Sequence, residues 1–187
     1  MSIDLKESLS KSPIISAIQD NLWEKALSSP SKVIFYLKAN LMTVAEKIKQ
    51  AHNANKLIFI HIDLAEGVGK DKSGVEFLAK AGADGIISTR SQLIKYAKEF
   101  NLLSVQRFFA LDSQGVNSIR DMLDGTKPDL IEIMPGVIGK IIKRLTGCSR
   151  PVIAGGLIET TEEVKIAFDS GAIAVSTGNA SLWEMNK

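Results

Sequence analysis

The stretch Val75-Glu-Phe-Leu-Ala-Lys-Ala-Gly82-Ala-Asp-Gly-Ile-Ile-Ser-Thr89 reads as a helix, a glycine stop and a strand. It recurs, one residue shorter, as Val164-Lys-Ile-Ala-Phe-Asp-Ser-Gly171-Ala-Ile-Ala-Val-Ser-Thr177. In each copy four positions (Val75, Leu78, Ala79, Gly82; Val164, Ala167, Phe168, Gly171) fall at i, i+3, i+4 and i+7, one face of a helix. Gly82 and Gly171 stand where a helix ends in a left-handed residue before the next strand. The same spacing recurs in Leu93, Tyr96, Ala97 and Phe100, and in Ile138, Ile141, Ile142 and Leu145.

Outward from these units a single alternation runs along the chain. Runs rich in β-branched residues predict strands over 13–18, 33–37, 57–63, 85–89, 103–109, 130–134, 152–154 and 173–177, and each of the first seven is followed by a helical pattern. Thr160, with Glu162 and Glu163 behind it, marks a helix start with an acceptor cap and negative charge in the first turn. Strict alternation implies parallel strands joined by crossover helices. The two quoted copies are the fourth and eighth units, half a barrel apart, which favours closure. The expected fold is α/β, a single small (β/α)8 TIM-type barrel over residues 1–187, lean against the usual size of about 250 residues. An open doubly wound sheet is the competing architecture.

Composition adds bounds rather than function. The 187 residues are 45% hydrophobic and 24% charged, as in an ordinary globular protein. The first twelve residues mix acids, bases and serines, unlike a secretory signal, and no apolar run approaches the roughly 20 residues that span a bilayer. One cysteine, Cys148, allows no internal disulfide and suits a cytoplasmic location. A net charge of +2 does not advertise nucleic-acid binding.

In such a barrel the working face is the C-terminal end of the strands. Gly155-Gly156 follow strand seven, and Ser176-Thr177-Gly178 close strand eight. Either group alone would make only a tight turn. Together they suit phosphate-binding loops, because glycines let backbone amides approach an anion closely. Period-two alternation turns Phe59, His61 and Asp63 inward, and Glu132 inward between Ile131 and Ile133. Lys38, Asp63, Arg107 and Glu132 are therefore candidate polar contacts for a ligand. Glu132 fits equally a buried polar network with Lys38 or Arg107. His61 reads as a satisfied barrel residue, and His52 lies on a helix away from the mouth, so no metal site is expected. Trp23 and Trp183 read as packing. Lys140, Lys143 and Arg144 on the sixth helix form either a solvated face or a contact surface for a phosphate backbone.

The segments His61-Ile-Asp-Leu-Ala-Glu-Gly67, Thr89-Arg-Ser91, Gln106-Arg-Phe-Phe109 with Asp112-Ser113, and Pro128-Asp-Leu-Ile-Glu132-Ile-Met-Pro-Gly136 occur in order. Pro151-Val-Ile-Ala-Gly-Gly-Leu-Ile158 and Ala174-Val-Ser-Thr177 with Leu182-Trp183 follow at fitting spacings. Over nearly its whole length the chain resembles the bacterial glycerol-3-phosphate-responsive antiterminators, regulators of glycerol uptake operons. Gly178-Asn179 departs from the more serine-like continuation of that family. The resemblance implies a cytoplasmic regulator with no catalytic turnover and no cofactor, whose effector is glycerol 3-phosphate. It implies action on the leader mRNA of glycerol operons, allowing transcription past a terminator. The sequence admits a homodimer without requiring one. The loop 66–72 is the expected switch. The competing readings are an aldolase, isomerase or decarboxylase acting on a small sugar or polyol phosphate, with Lys38 as a Schiff-base candidate, and a ligand-binding regulator of a protein partner.

Overall fold

A computed structural model describes residues 5–110 and 113–185. Eight strands form one closed parallel barrel in chain order: β1 (Ile14–Ile18), β2 (Val33–Tyr36), β3 (Leu57–His61), β4 (Gly85–Ser88), β5 (Leu103–Phe109), β6 (Leu130–Met134), β7 (Val152–Gly155) and β8 (Ala174–Thr177). Closure is made by β8 pairing with β1, Ser176 beside Ile15. The closed barrel and not the open sheet is therefore the architecture. Helices α2 (Trp23–Ser28), α3 (Val44–Asn53), α4 (Lys72–Lys80), α5 (Ser91–Glu99), α6 (Ser113–Thr126), α7 (Gly139–Leu145) and α8 (Thr161–Asp169) follow β1 to β7 in turn.

Alternation along the strands divides the core into two layers. Val33, Phe35, Phe59, Val105 and Ile153 fill the barrel, while Ile34, Ile58, Ile60 and Ile131 meet the helices. Gly85 is a space requirement: a Cβ there would lie 2.4 Å from the Phe59 ring. Gly82 and Gly171 end α4 and α8 at φ +93° and +98°, as their sequence positions predict. Thr160 caps α8 in a reciprocal box with Glu163. Trp23 and Trp183 are buried packing residues.

Two features differ from the sequence reading. An unforeseen short helix, α1 (Leu5–Lys11), closes the N-terminal end of the barrel and sends Leu9 into the interior layer. Strand β3 stops at His61 rather than running to Asp63, and Ile62–Leu64 form one 3-10 turn. The Asp63 carboxylate is drawn to the end of β4, where it bonds Ser88 and Thr89, and these side-chain bonds displace further pairing of the strand.

Candidate functional site

The inner positions at the upper ends of β5, β6 and β8 carry Arg107, Glu132 and Ser176, which the barrel brings into one network. Arg107 Nε donates to Glu132 Oε2 at 2.6 Å, and Ser176 Oγ donates to Glu132 Oε1 at 2.5 Å. Glu132 is almost fully buried, and both of its oxygens are engaged. Gly155 sits directly against this network: a Cβ there would lie 2.5 Å from Glu132 Oε1 and 2.6 Å from Ser176 Oγ.

Over the network opens a cleft of about 660 Å³, bordered by Arg107, Glu132, Gly156, Leu157, Ser176 and Gly178 among others. Its floor is polar and its far wall, Ala17 and Leu37, is apolar. Gly156 and Leu157 are both left-handed, at φ +75° and +60°. For leucine that conformation is costly, and its side chain is 69% exposed, so the loop spends local strain to hold its shape. The loops after β7 and β8 are tied together. Thr177 Oγ1 donates to Ile158 O at 2.7 Å and accepts from Asn179 N, and Asn179 Nδ2 donates to Glu159 O at 2.8 Å. Asn179, the departure from the family pattern, thus latches one loop to the other. The start of α8 is occupied from within, because Glu163 Oε2 accepts from the amides of Glu159 and Thr160.

A model of the glycerol-3-phosphate responsive antiterminator family matches residues 14–183. The chain belongs to the glycerol-3-phosphate responsive antiterminators. The glycerol uptake operon antiterminator regulatory protein of Listeria monocytogenes superposes with a TM-score of 0.86 at 37% identity, over 91% of this chain and 94% of that one. A glycerol uptake operon antiterminator-related protein of Thermotoga maritima gives 0.84 at 31% identity, over 94% and 99%. The uncharacterized protein YgcP of Escherichia coli K12 is 35% identical over 96% of this chain and 95% of its own length. Deoxyribose-phosphate aldolase of Aeropyrum pernix superposes at 0.70 with 15% identity, a likeness of fold alone.

Other residues named from the sequence lie apart from the cleft. Lys38 is exposed and pairs with Glu66 at 3.2 Å. Lys140, Lys143 and Arg144 are exposed on α7. Asp112 lies outside the described residues. Within the loop 66–72, Lys70 Nζ donates to Ala65 O and Val68 O, and Asp71 caps α4 through Gly74 N. No helix among the described residues is long and apolar enough to cross a membrane.

Asp63 stands at the β3 tip, where Ser88 Oγ, Thr89 N and Thr89 Oγ1 donate to it at 2.8, 2.7 and 2.9 Å. Burial alone would raise its pKa. The adjoining His61 ring and the donors on Thr89 and Ser88 overcome that and hold the carboxyl well below the usual carboxylate range. A depressed folded-state pKa stabilises the protein above the unfolded value of about 3.9, and that contribution is lost as pH falls from there toward the folded value. Asp63→Asn is expected to lower stability by about 2 kcal/mol at pH 7. It should also flatten the loss of stability below about pH 4, read as melting temperature against pH. An unchanged acid limb would show that Asp63 carries no such linkage.

His61, expected as a satisfied barrel residue, is not satisfied: neither ring nitrogen has a hydrogen-bond partner among the described residues. Nothing in the sequence signalled this, since a missing partner is a property of the assembled barrel. His52, by contrast, bonds Asp84 at 2.9 Å on the helical layer.

Proposed function

We propose that this chain senses glycerol 3-phosphate at the mouth of its barrel and, in response, binds the leader mRNA of glycerol operons so that transcription passes a terminator. The observation that carries this reading is the family match across nearly the whole chain, joined to a glycine-walled cleft beside Arg107. In this reading the dianionic phosphate lies against Gly156, Ser176, Thr177 and Gly178, with Gly155 leaving room beneath. Glu163 already takes the Glu159 and Thr160 amides, so the phosphate falls to the backbone around Gly156 and Gly178. Arg107 adds positive charge, and Glu132 fixes where it points. The protein acts without turnover or cofactor, in the cytoplasm. Lys38, exposed and paired with Glu66, lacks the enclosed setting of a Schiff-base lysine.

The deciding experiment titrates glycerol-operon leader RNA into the protein with and without glycerol 3-phosphate. The effector is expected to tighten RNA binding, and reciprocity then requires RNA to tighten effector binding by the same factor. RNA that fails to bind in both conditions, beside a bound effector, would overturn the RNA half and favour a protein partner. Replacing Lys140, Lys143 and Arg144 together by alanine is expected to lower the salt slope of RNA binding by about 2–3 charges if α7 faces the RNA. An unaltered slope clears that face.

A further inference from the structure

The side chain of His61 is 6% exposed, and both of its ring nitrogens are buried with no hydrogen-bond partner among the described residues. A neutral imidazole carries one donor and one acceptor, and buried polar groups in folded proteins are nearly always paired. Among the described residues the nearest polar group is the Asp63 carboxylate, which lies within reach of the His61 ring's charge but makes no hydrogen bond to it. Asp63 Oδ2 is 3.7 Å away, beyond hydrogen-bond length, and the Asp63 oxygens already accept from Ser88 and Thr89. Below the ring, on the same inner face of β3, Phe59 fills the barrel. Ile87 flanks it on β4. On the other side Leu37, one step beyond the Tyr36–Ile60 pair, is part of the wall of the cleft. With the barrel packed beneath, a partner for the imidazole enters from the mouth.

We infer that His61 is a specificity-determining contact that hydrogen-bonds a hydroxyl at the non-phosphate end of the ligand. The inference rests on the phosphate placement proposed above and names the ligand class the mouth selects: phosphomonoesters of small polyols, over alkyl phosphates of the same length. A hydroxyl both donates and accepts, so it meets either tautomer of the ring. The Arg107–Glu132–Ser176 network shares the inner face of the strands with His61, and Leu37 beside β3 borders the same cleft, so a ligand whose phosphate sits on the proposed loops extends its hydroxyl end toward the imidazole.

The test compares glycerol 3-phosphate with n-propyl phosphate, which keeps the phosphate and chain length and lacks the hydroxyls. Wild-type protein is expected to prefer glycerol 3-phosphate by at least about tenfold. In His61→Phe the preference should collapse toward unity while propyl phosphate binding persists; His61→Gln, which keeps a donor and an acceptor, should retain part of it. A preference unchanged in His61→Phe overturns the assignment. A second readout needs no variant. The chain has two histidines, so imidazole 15N spectra of the wild type contain an internal control. Glycerol 3-phosphate should shift the His61 resonances and leave those of His52, bonded to Asp84, in place. His61 resonances that stay put under saturating ligand mean that a buried water alone occupies the ring, which also overturns the assignment. Wild-type protein that binds neither phosphate overturns the sensor reading itself, and this contact with it.

Discussion

Gly156→Asp is expected to abolish binding of glycerol 3-phosphate while leaving the barrel folded. The fold should survive for two reasons. At φ +75° an aspartate costs on the order of 1–2 kcal/mol, a fraction of a typical domain stability of about 5–15 kcal/mol. The added Cβ would approach Met134 Cε to 2.6 Å, but that methyl is the far end of a flexible side chain and can turn away. Binding should not survive. The new carboxylate would stand where the phosphate is proposed to lie, and two unit charges about 4 Å apart repel by roughly 4 kcal/mol near a protein surface, close to a thousandfold in affinity. Calorimetric titration reads the affinity, and thermal unfolding checks the fold. Gly156→Ala separates the causes, since it carries the same backbone strain without the charge and should cost far less. Equal affinity in wild type and Gly156→Asp would remove the phosphate from this loop.

The strands of this barrel were readable because parallel strands are buried on both faces and so appear as continuous apolar runs. The repeated helix–glycine–strand unit was readable for a related reason: Gly82 and Gly171 occupy left-handed positions where other residues are strained. Helix α1 was not readable, because seven residues give too short a window for periodicity and its role depends on one residue, Leu9, reaching the barrel interior. At the site, alternation placed Glu132 on the inner face, but only register sets Arg107 beside it. The sequence therefore left open whether Glu132 met a ligand or a partner, and assembly shows that the partner is present. The same limit explains Asp63 and His61. Pattern named the acid as the candidate contact, whereas closure of the barrel gives Asp63 its donors from the end of β4 and leaves His61 with no hydrogen bond among the described residues.

Glu132→Ala is expected to destabilise the protein by about 3–5 kcal/mol, because removing one member of a buried ion pair strands the other. The Arg107 side chain is 8% exposed and would lose the carboxylate 2.6 Å from its Nε, and Ser176 would lose its acceptor in the same step. For a chain of this size each kcal/mol moves the melting temperature by roughly 2–4 °C, so a fall of about 6–20 °C is expected. A double replacement, Arg107→Met with Glu132→Leu, tests whether the pair serves the fold or the ligand. Buried pairs exchanged together for apolar residues of similar volume often leave stability unchanged or raised. The double variant should therefore recover most of the melting temperature lost by Glu132→Ala. On the proposed placement it should still bind glycerol 3-phosphate far more weakly than wild type, because the cation beside the proposed phosphate loops is gone. Full recovery of both stability and affinity would show that Arg107 never meets the ligand and would leave the backbone amides as the whole phosphate site. Recovery of stability alone identifies the pair as a binding device: Glu132 holds a buried arginine in place for an anion that arrives from the mouth.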